Sequence, residues 1–226
     1  MNLETGKTAD SGAVGFVLAG GKSSRMGTEK ALLEFGGQTL VGRAIGILKS
    51  AGLPVFIAGA PAGVRPRLES YAAVVPDAEP GLGPLAGVCA ALRSTWAPLA
   101  VFLPVDIPLM PTSLIVYLLR HARISGVPVT LASVNAFPQT FPAVVARDAL
   151  LALERELAGG RLGCLAAFRA AALELGHTLS VVPAEVLVQA GQVAHPQALP
   201  PLRWFLNLNA ADDLRLASSV RAGRVS

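Results

Sequence analysis

The chain has 226 residues, 52% hydrophobic, 15% charged and 5% aromatic, with a formal net charge of +4 at pH 7. That length suits one sizeable domain with a well-buried core and is short for two. No run of about 18 uncharged apolar residues occurs, which argues against a spanning helix; the most apolar stretch, 99–110, is interrupted by Asp106. The basic balance would admit a polyanionic partner. Its Lys and Arg residues are dispersed and aromatics are few, which weakens the case for a nucleic-acid surface and leaves a phosphorylated small molecule equally compatible. Residues 1–13 are polar, lack the apolar centre of a signal peptide and read as a tail, so a cytoplasmic location away from membranes is expected. Cys89 and Cys164 are far apart and have no nearby Cys or His, which fits buried thiols better than a metal cluster or disulfide.

In chain order, β-prone apolar runs occur at 14–18, 55–58, 73–75, 99–105, 128–133 and 141–145, with a last one at 204–208. Helical stretches lie between them. Thr39 is placed to cap a helix running through Lys49 and stopping at Gly52, and a second helix covers 85–94. Thr112 or Ser113 caps a third through His121, and 147–157 and the stretch after Gly163 also read as helical. Segment 189–201, with Pro196, Pro200 and Pro201, reads as a surface loop. This alternation predicts an α/β domain over 14–218 with a mostly parallel sheet, between tails 1–13 and 219–226.

The segment LAGGKSSRMGTEKALL, 18–33, leaves the C-terminal end of the first strand, where ligands sit in open parallel sheets. Gly20 and Gly21 let the backbone approach a ligand, and Arg25 and Lys30 can neutralise phosphate charge. The dinucleotide pattern G-x-G-x-x-G is absent. The P-loop spacing fails as well, because Gly21-Lys22-Ser23 has Phe16 where the first glycine is required. A plain turn with solvated cations remains an equal reading of the loop taken alone.

The stretch LAGGKSSRMGTEKALLEFGGQTL resembles the N-terminal signature of the molybdenum cofactor guanylyltransferase family. VVPDAEPGLGPLAGVCAAL at 74–92, FLPVDIPLMP at 102–111 and FLNLNAADDL at 205–214 match its further motifs in order. The resemblance implies a single-domain, Rossmann-like, three-layer α/β/α nucleotidyltransferase that transfers GMP from GTP to molybdopterin and releases pyrophosphate. It implies a nucleotide-binding half over 14–111, an acceptor-binding half over 112–218, and transient contacts with other cofactor-biosynthesis proteins or recipient apoenzymes. It also places Leu18, Ala19, Gly20, Gly21, Lys30, Asp77, Gly83, Pro84, Leu85, Gly87 and Asp106 at the nucleotide, and Asn207 and Asn209 on the acceptor side.

Asp106 ends an apolar strand, so its carboxylate is expected at the sheet edge opposite the basic loop. A hard carboxylate there suits Mg²⁺ shared with substrate phosphates; the alternative is an ordinary turn-capping Asp. Asp77 is equally readable as a nucleotide contact or as an Asx turn before a helix. Asn207 and Asn209 alternate on the last predicted strand, where both would face one side or merely cap its end. Arg25 and Lys30 are the expected stabilisers of charge on the reacting phosphates, and no Ser or Cys nucleophile is required. His121, His177 and His195 have no motif partners and receive no catalytic role. One departure from the family stands out: IAGAP, 57–61, has no polar side chain where members often place a ribose-facing Asn. Related cytidylyltransferases, sugar-phosphate nucleotidyltransferases and a catalytically silent nucleotide-binding adaptor are the alternatives.

Overall fold

The structure, a computed structural model, describes residues 12–20, 30–60, 63–76 and 82–208. Its frame is a six-stranded sheet built from β1 (Ala13–Leu18), β4 (Val55–Ala58), β5 (Leu99–Pro104), β6 (Val129–Val134), β7 (Phe137–Ala146) and β8 (Ser180–Pro183), in the order β4-β1-β5-β7-β6-β8. Only β7 runs antiparallel to its neighbours. The sheet is therefore mostly parallel, as the alternating sequence pattern predicts. β1 and β6 are buried along their whole length, which is why they read as unbroken apolar runs rather than as alternating ones.

Helices cover both faces. On one lie α1 (Leu40–Ser50) and α4 (Thr112–Ser125), packed on Val17, Val101 and Leu103; on the other lie α3 (Pro84–Arg93), α5 (Leu150–Ala158) and α6 (Cys164–Glu174), packed on Phe16, Ala100 and Phe102. The side chains of β1 alternate between these two cores. Phe16 stacks on Phe102 with ring centroids 5.6 Å apart, across paired positions of β1 and β5. Gly15, on the opposite face, leaves space that the Leu48 side chain of α1 fills.

Local chemistry accounts for most element boundaries. Thr39 caps α1 as expected, its hydroxyl accepting from Gly42 N at 3.2 Å, and Gly52 takes φ +79° just beyond the helix end. Before that cap, a short hairpin of β2 (Glu34–Phe35) and β3 (Gln38–Thr39) turns through Gly36 and Gly37, both at positive φ. A second turn at positive φ, Asn135-Ala136, joins β6 to β7, and the Glu185 carboxylate accepts from Asn135 N at 2.8 Å.

Several predicted elements are corrected. Segment 73–75 makes only a one-residue parallel bridge, Val74 to Ile57. Neither Thr112 nor Ser113 caps α4: Pro111 is the N-cap, Ser113 Oγ donates to Ala194 O at 2.7 Å, and the helix runs past His121 to Ser125. The helix predicted over 147–157 opens with a 3-10 turn, Arg147–Ala149. β7 extends to both sides of the predicted 141–145, and β8 was not foreseen. Segment 184–204 contains two short helices, α7 (Ala184–Gln189) and α8 (Pro201–Trp204), and the strand predicted at 204–208 does not form. Pro201 suits a first helical position, and the fully buried Trp204 ring is fixed by Nε1 donating to Leu199 O at 2.7 Å. With these anchors in place, β-propensity at 204–208 does not decide the backbone. The remaining short helix, α2 (Arg65–Leu68), lies between β4 and α3. No helix among the described residues is long and apolar enough to cross a membrane.

At the C-terminal edge of the sheet, the segments leaving β1 and β4 and the first turn of α3 meet through three glycines. A methyl group on Gly20 would sit 2.0 Å from the Gly59 carbonyl oxygen, and one on Gly87 would sit 3.4 Å from Gly59 Cα. Gly59 itself takes φ +68°. The absence of a side chain at Gly20 is thus required by backbone packing between two loops. Gly20→Ala is expected to lower stability by about 1–3 kcal/mol, because neither backbone can give way cheaply. Gly63→Ala, which faces open space, should stay within about 0.5 kcal/mol. Urea unfolding midpoints check this, and a wild-type midpoint for Gly20→Ala would contradict the packing.

Candidate active site

The parallel strands β1, β4 and β5 end side by side, and the chain leaving each contributes to one cleft. Pairing of β1 with β5 runs in register from Ala13 opposite Leu99 to Leu18 opposite Pro104. It continues one step further, with Val105 N donating to Leu18 O at 3.2 Å. That bond carries Asp106 past the end of the sheet beside Ala19 and Gly20. Asp106 sits in the turn after β5 rather than on the strand itself.

Lys30, twelve positions after the end of β1 in the chain, approaches the same point. Its Nζ lies 3.4 Å from Asp106 Oδ2, with the Lys30 and Asp106 side chains 15% and 26% exposed. The backbone behind it is anchored: Ala31 is buried, Val41 N donates to Ala31 O at 2.9 Å, and Leu40 N to Leu33 O at 2.9 Å. A partly exposed pair of this kind contributes only about 0–1 kcal/mol to stability. Its importance therefore lies in where it holds a cation and a carboxylate.

Asn207 arrives from the other half of the chain. With its carboxamide nitrogen facing Asp106, the orientation that satisfies the hydrogen bonding, it donates to Oδ2 at 3.0 Å and to Oδ1 at 3.1 Å. Leu208 N donates to Asp106 O at 2.9 Å. The expected acceptor-side residue thus lies at the Asp106 carboxylate. It reaches that place from an irregular segment, which corrects the strand on which the sequence analysis put it.

A helix N-terminus borders the cleft. Gly83, at φ +79° and ψ −169°, holds a conformation reserved for glycine, and Pro84 follows in the first turn. Among the described residues no side chain caps α3, and the N–H groups of a helix's first turn suit an acceptor with negative charge. The side chains around this turn point elsewhere. Leu85 is wholly buried, Leu18 and Ala19 are buried in the two cores, and Gly87 packs on Gly59. Of the residues expected at a nucleotide, Leu18, Ala19, Leu85 and Gly87 can therefore meet it only through backbone groups. Gly21, Arg25, Asp77 and Asn209 lie outside the described residues, as does Lys22.

One residue beyond the motifs braces the Asp106 loop. Arg43 Nε donates to Pro108 O while its guanidinium lies over the Phe35 ring, 5.3 Å from the centroid. It carried no signal in the sequence, since it acts on a main-chain atom distant along the chain. The two thiols are free and buried, as expected, and burial pushes Cys164 up to about 12, a value at which it is no nucleophile at neutral pH. Among the described residues no group of three or more His, Cys, Asp or Glu side chains is placed to hold a metal ion. Any cation at Asp106 would have to complete its shell with substrate oxygens.

The family model described as the MobA-like NTP transferase domain matches residues 15–175. A molybdenum cofactor guanylyltransferase of Rhizobium meliloti is 33% identical over 215 residues, covering 90% of this chain and 89% of that one. A relative from Haloferax mediterranei, named "Probable molybdenum cofactor guanylyltransferase", is 30% identical over 230 residues, covering 98% of this chain and all of its own. Among solved structures, the molybdopterin-guanine dinucleotide biosynthesis protein A of Archaeoglobus fulgidus superposes with a TM-score of 0.72 over 92% of this chain and 98% of that one, at 24% identity. The three-layer architecture, the cleft at the ends of β1, β4 and β5 and the match over 15–175 agree: the chain belongs to the MobA-like NTP transferase family of nucleotidyltransferases.

Proposed function

We propose that this protein transfers GMP from GTP to molybdopterin, releasing pyrophosphate and giving the guanine dinucleotide form of the cofactor. The observation that carries the reading is the meeting of Lys30, Asp106 and Asn207 at the sheet edge, near the N-terminus of α3. The relatives' shared name over nearly the full chain supports the choice of nucleotide and acceptor.

In this reading a terminal phosphate oxygen of the acceptor attacks the α-phosphorus of GTP. The bond from that phosphorus to the bridging oxygen breaks, and pyrophosphate departs with the bond's electrons. Lys30 neutralises charge that grows on the phosphoryl oxygens, and Arg25 is assigned the same task from its place in the loop. The first-turn N–H groups of α3 and the backbone of 18–20 hold the nucleotide. Asn207 and Leu208 orient Asp106 from the acceptor side.

The Asp106 carboxylate fits Mg²⁺: it is a hard oxygen donor, partly exposed, and the Asn207 carboxamide nitrogen donating to both of its oxygens would fix its orientation. When bound, Mg²⁺ would supply charge neutralisation at the phosphates. Asp106 would hold it, and Lys30 is the internal cation that balances that carboxylate otherwise.

Asp106→Asn is expected to lower kcat at least about a hundredfold, the equivalent of several kcal/mol of lost stabilisation, while keeping the fold because volume is preserved. Lys30→Ala should reduce kcat far more than GTP affinity, because charge at Lys30 grows mainly in the transition state; Lys22→Ala should change little. Pyrophosphate release and GTP calorimetry check all three, and wild-type turnover in Asp106→Asn at limiting Mg²⁺ would remove the metal assignment.

Base choice is a separate matter. If the turn before α3 presents backbone groups to the base edge, kcat/KM for GTP should exceed that for ATP by about a hundredfold or more, since the wrong base leaves buried polar groups unpaired. Pyrophosphate release from GTP, ATP, CTP and UTP with molybdopterin measures it. Equal values for the two purines would contradict the base contact, and a preference for CTP would make the protein a cytidylyltransferase.

A further inference from the structure

Lys30 and Asp106 meet at 3.4 Å, and a partly exposed pair does not fix its own span. For that distance to hold, two backbone segments must be kept in step: 30–35, which carries the cation, and 106–111, which carries the carboxylate. The first turn of α1 touches both. Val41 N donates to Ala31 O and Leu40 N to Leu33 O, each at 2.9 Å, which fastens the chain just after Lys30. Arg43, in the same turn, reaches the other segment, its Nε donating to the Pro108 carbonyl just beyond Asp106. Its guanidinium meanwhile lies over the buried Phe35 ring, 5.3 Å from the centroid, back on the Lys30 side. Pro108 is itself buried, so its carbonyl needs a donor, and the structure supplies Arg43 Nε.

We propose that Arg43 is a positioning residue for the transfer step: it clasps the Asp106 segment to the Lys30 segment and so sets how far the cation stands from the carboxylate. The inference deepens the guanylyl-transfer reading and rests on it for the catalytic purpose of that span. Arg43 acts through a main-chain carbonyl on one side and a ring on the other, not on substrate.

Arginine suits the place because it offers a donor at Nε and a flat cation beyond it, so one side chain bonds a carbonyl and covers a ring at once. Glutamine carries its amide nitrogen the same number of bonds from Cα as arginine carries Nε, and it has no charge to lay on the ring. Methionine has a similar reach and no donor. Arg43→Gln and Arg43→Met therefore both lose the cation over Phe35 and differ in the carbonyl bond.

Amide exchange reads the clasp without any substrate. Leu208 N, which donates to Asp106 O, reports on the Asp106 segment; Arg147 N, which donates to Pro98 O at the opposite edge of the sheet, reports on the fold as a whole. In Arg43→Met the Leu208 protection factor should fall about fivefold further than that of Arg147, the size of one lost hydrogen bond, while in Arg43→Gln the two should change together to within about twofold. On the catalytic side, kcat for pyrophosphate release from GTP should fall about tenfold in Arg43→Met with KM for GTP within about twofold of wild type, and Arg43→Gln should recover most of that loss. Equal falls at Leu208 and Arg147 in Arg43→Met, an Arg43→Gln as impaired as Arg43→Met, or an unchanged kcat in Arg43→Met overturns the role. If Arg43→Met does not fold, the wild type decides alone: its Arg43 Nε–H should exchange at least about tenfold more slowly than that of a free arginine side chain, and exchange at the free rate overturns the clasp. Since exchange needs no substrate, a chain that transfers no GMP still reports on the clasp, and equal falls at the two amides leave the GTP reaction standing.

Discussion

The in-register parallel pairing of β1 with β5 is the constraint on which the rest of the site depends. Leu18 and Pro104 end those strands opposite each other, and Val105 N on Leu18 O extends the pairing one residue beyond them. A parallel pair brings the exits of both strands to the same edge. The backbone at Ala19 and Gly20 and the acidic turn at Asp106, nearly ninety positions apart in the chain, are thereby brought to one edge. Phe16 stacked on Phe102 fixes the register from within the core, and a slip of one residue would send each side chain to the opposite face. The chemistry at the edge is thus secured by apolar packing well below it.

Above the edge, the limiting quantity is space. Gly20, Gly59 and Gly87 let two loops and a helix approach until backbone meets backbone. This gives the glycines of the opening loop a second meaning beside access to a ligand. Gly20 is needed because the Gly59 carbonyl occupies the position of its Cβ. The segment 57–60 lacks the polar side chain expected after the second strand, and the structure shows what that segment does instead: it provides the surface on which the loop from β1 rests.

The site is built from two halves held by different means. Asp106 and the backbone around Gly20 are placed by the sheet, and Lys30 by the hairpin and helix that follow it. Asn207 comes from the segment 190–208, held by Pro201, Trp204 and Ser113. The weak intrinsic value of a partly exposed Lys30–Asp106 pair means that the pair does not organise these segments. They organise it, bringing a cation, a carboxylate and an amide donor to one point.

The sequence by itself determined the α/β class, the strands 14–18, 55–58 and 99–105 within a residue of their ends, the Thr39 cap and the cleft at the end of the first strand. Each of these rests on local rules: continuous apolar runs for parallel strands buried on both faces, a hydroxyl before a helix, glycine where the chain turns. Lys30 and Asp106 were legible because short motifs carry them, while Arg25, Asp77 and Asn209 stay outside the described residues. Only the tertiary structure decided that Asn207 lies on Asp106 and that Arg43 braces the loop. The same holds for 204–208, where a strand-like composition is overridden by Trp204 burying its ring and Leu208 bonding to Asp106. Those outcomes depend on partners about 65 to 100 residues away in the chain, and periodicity in a local window does not encode which main-chain atom a distant side chain will meet.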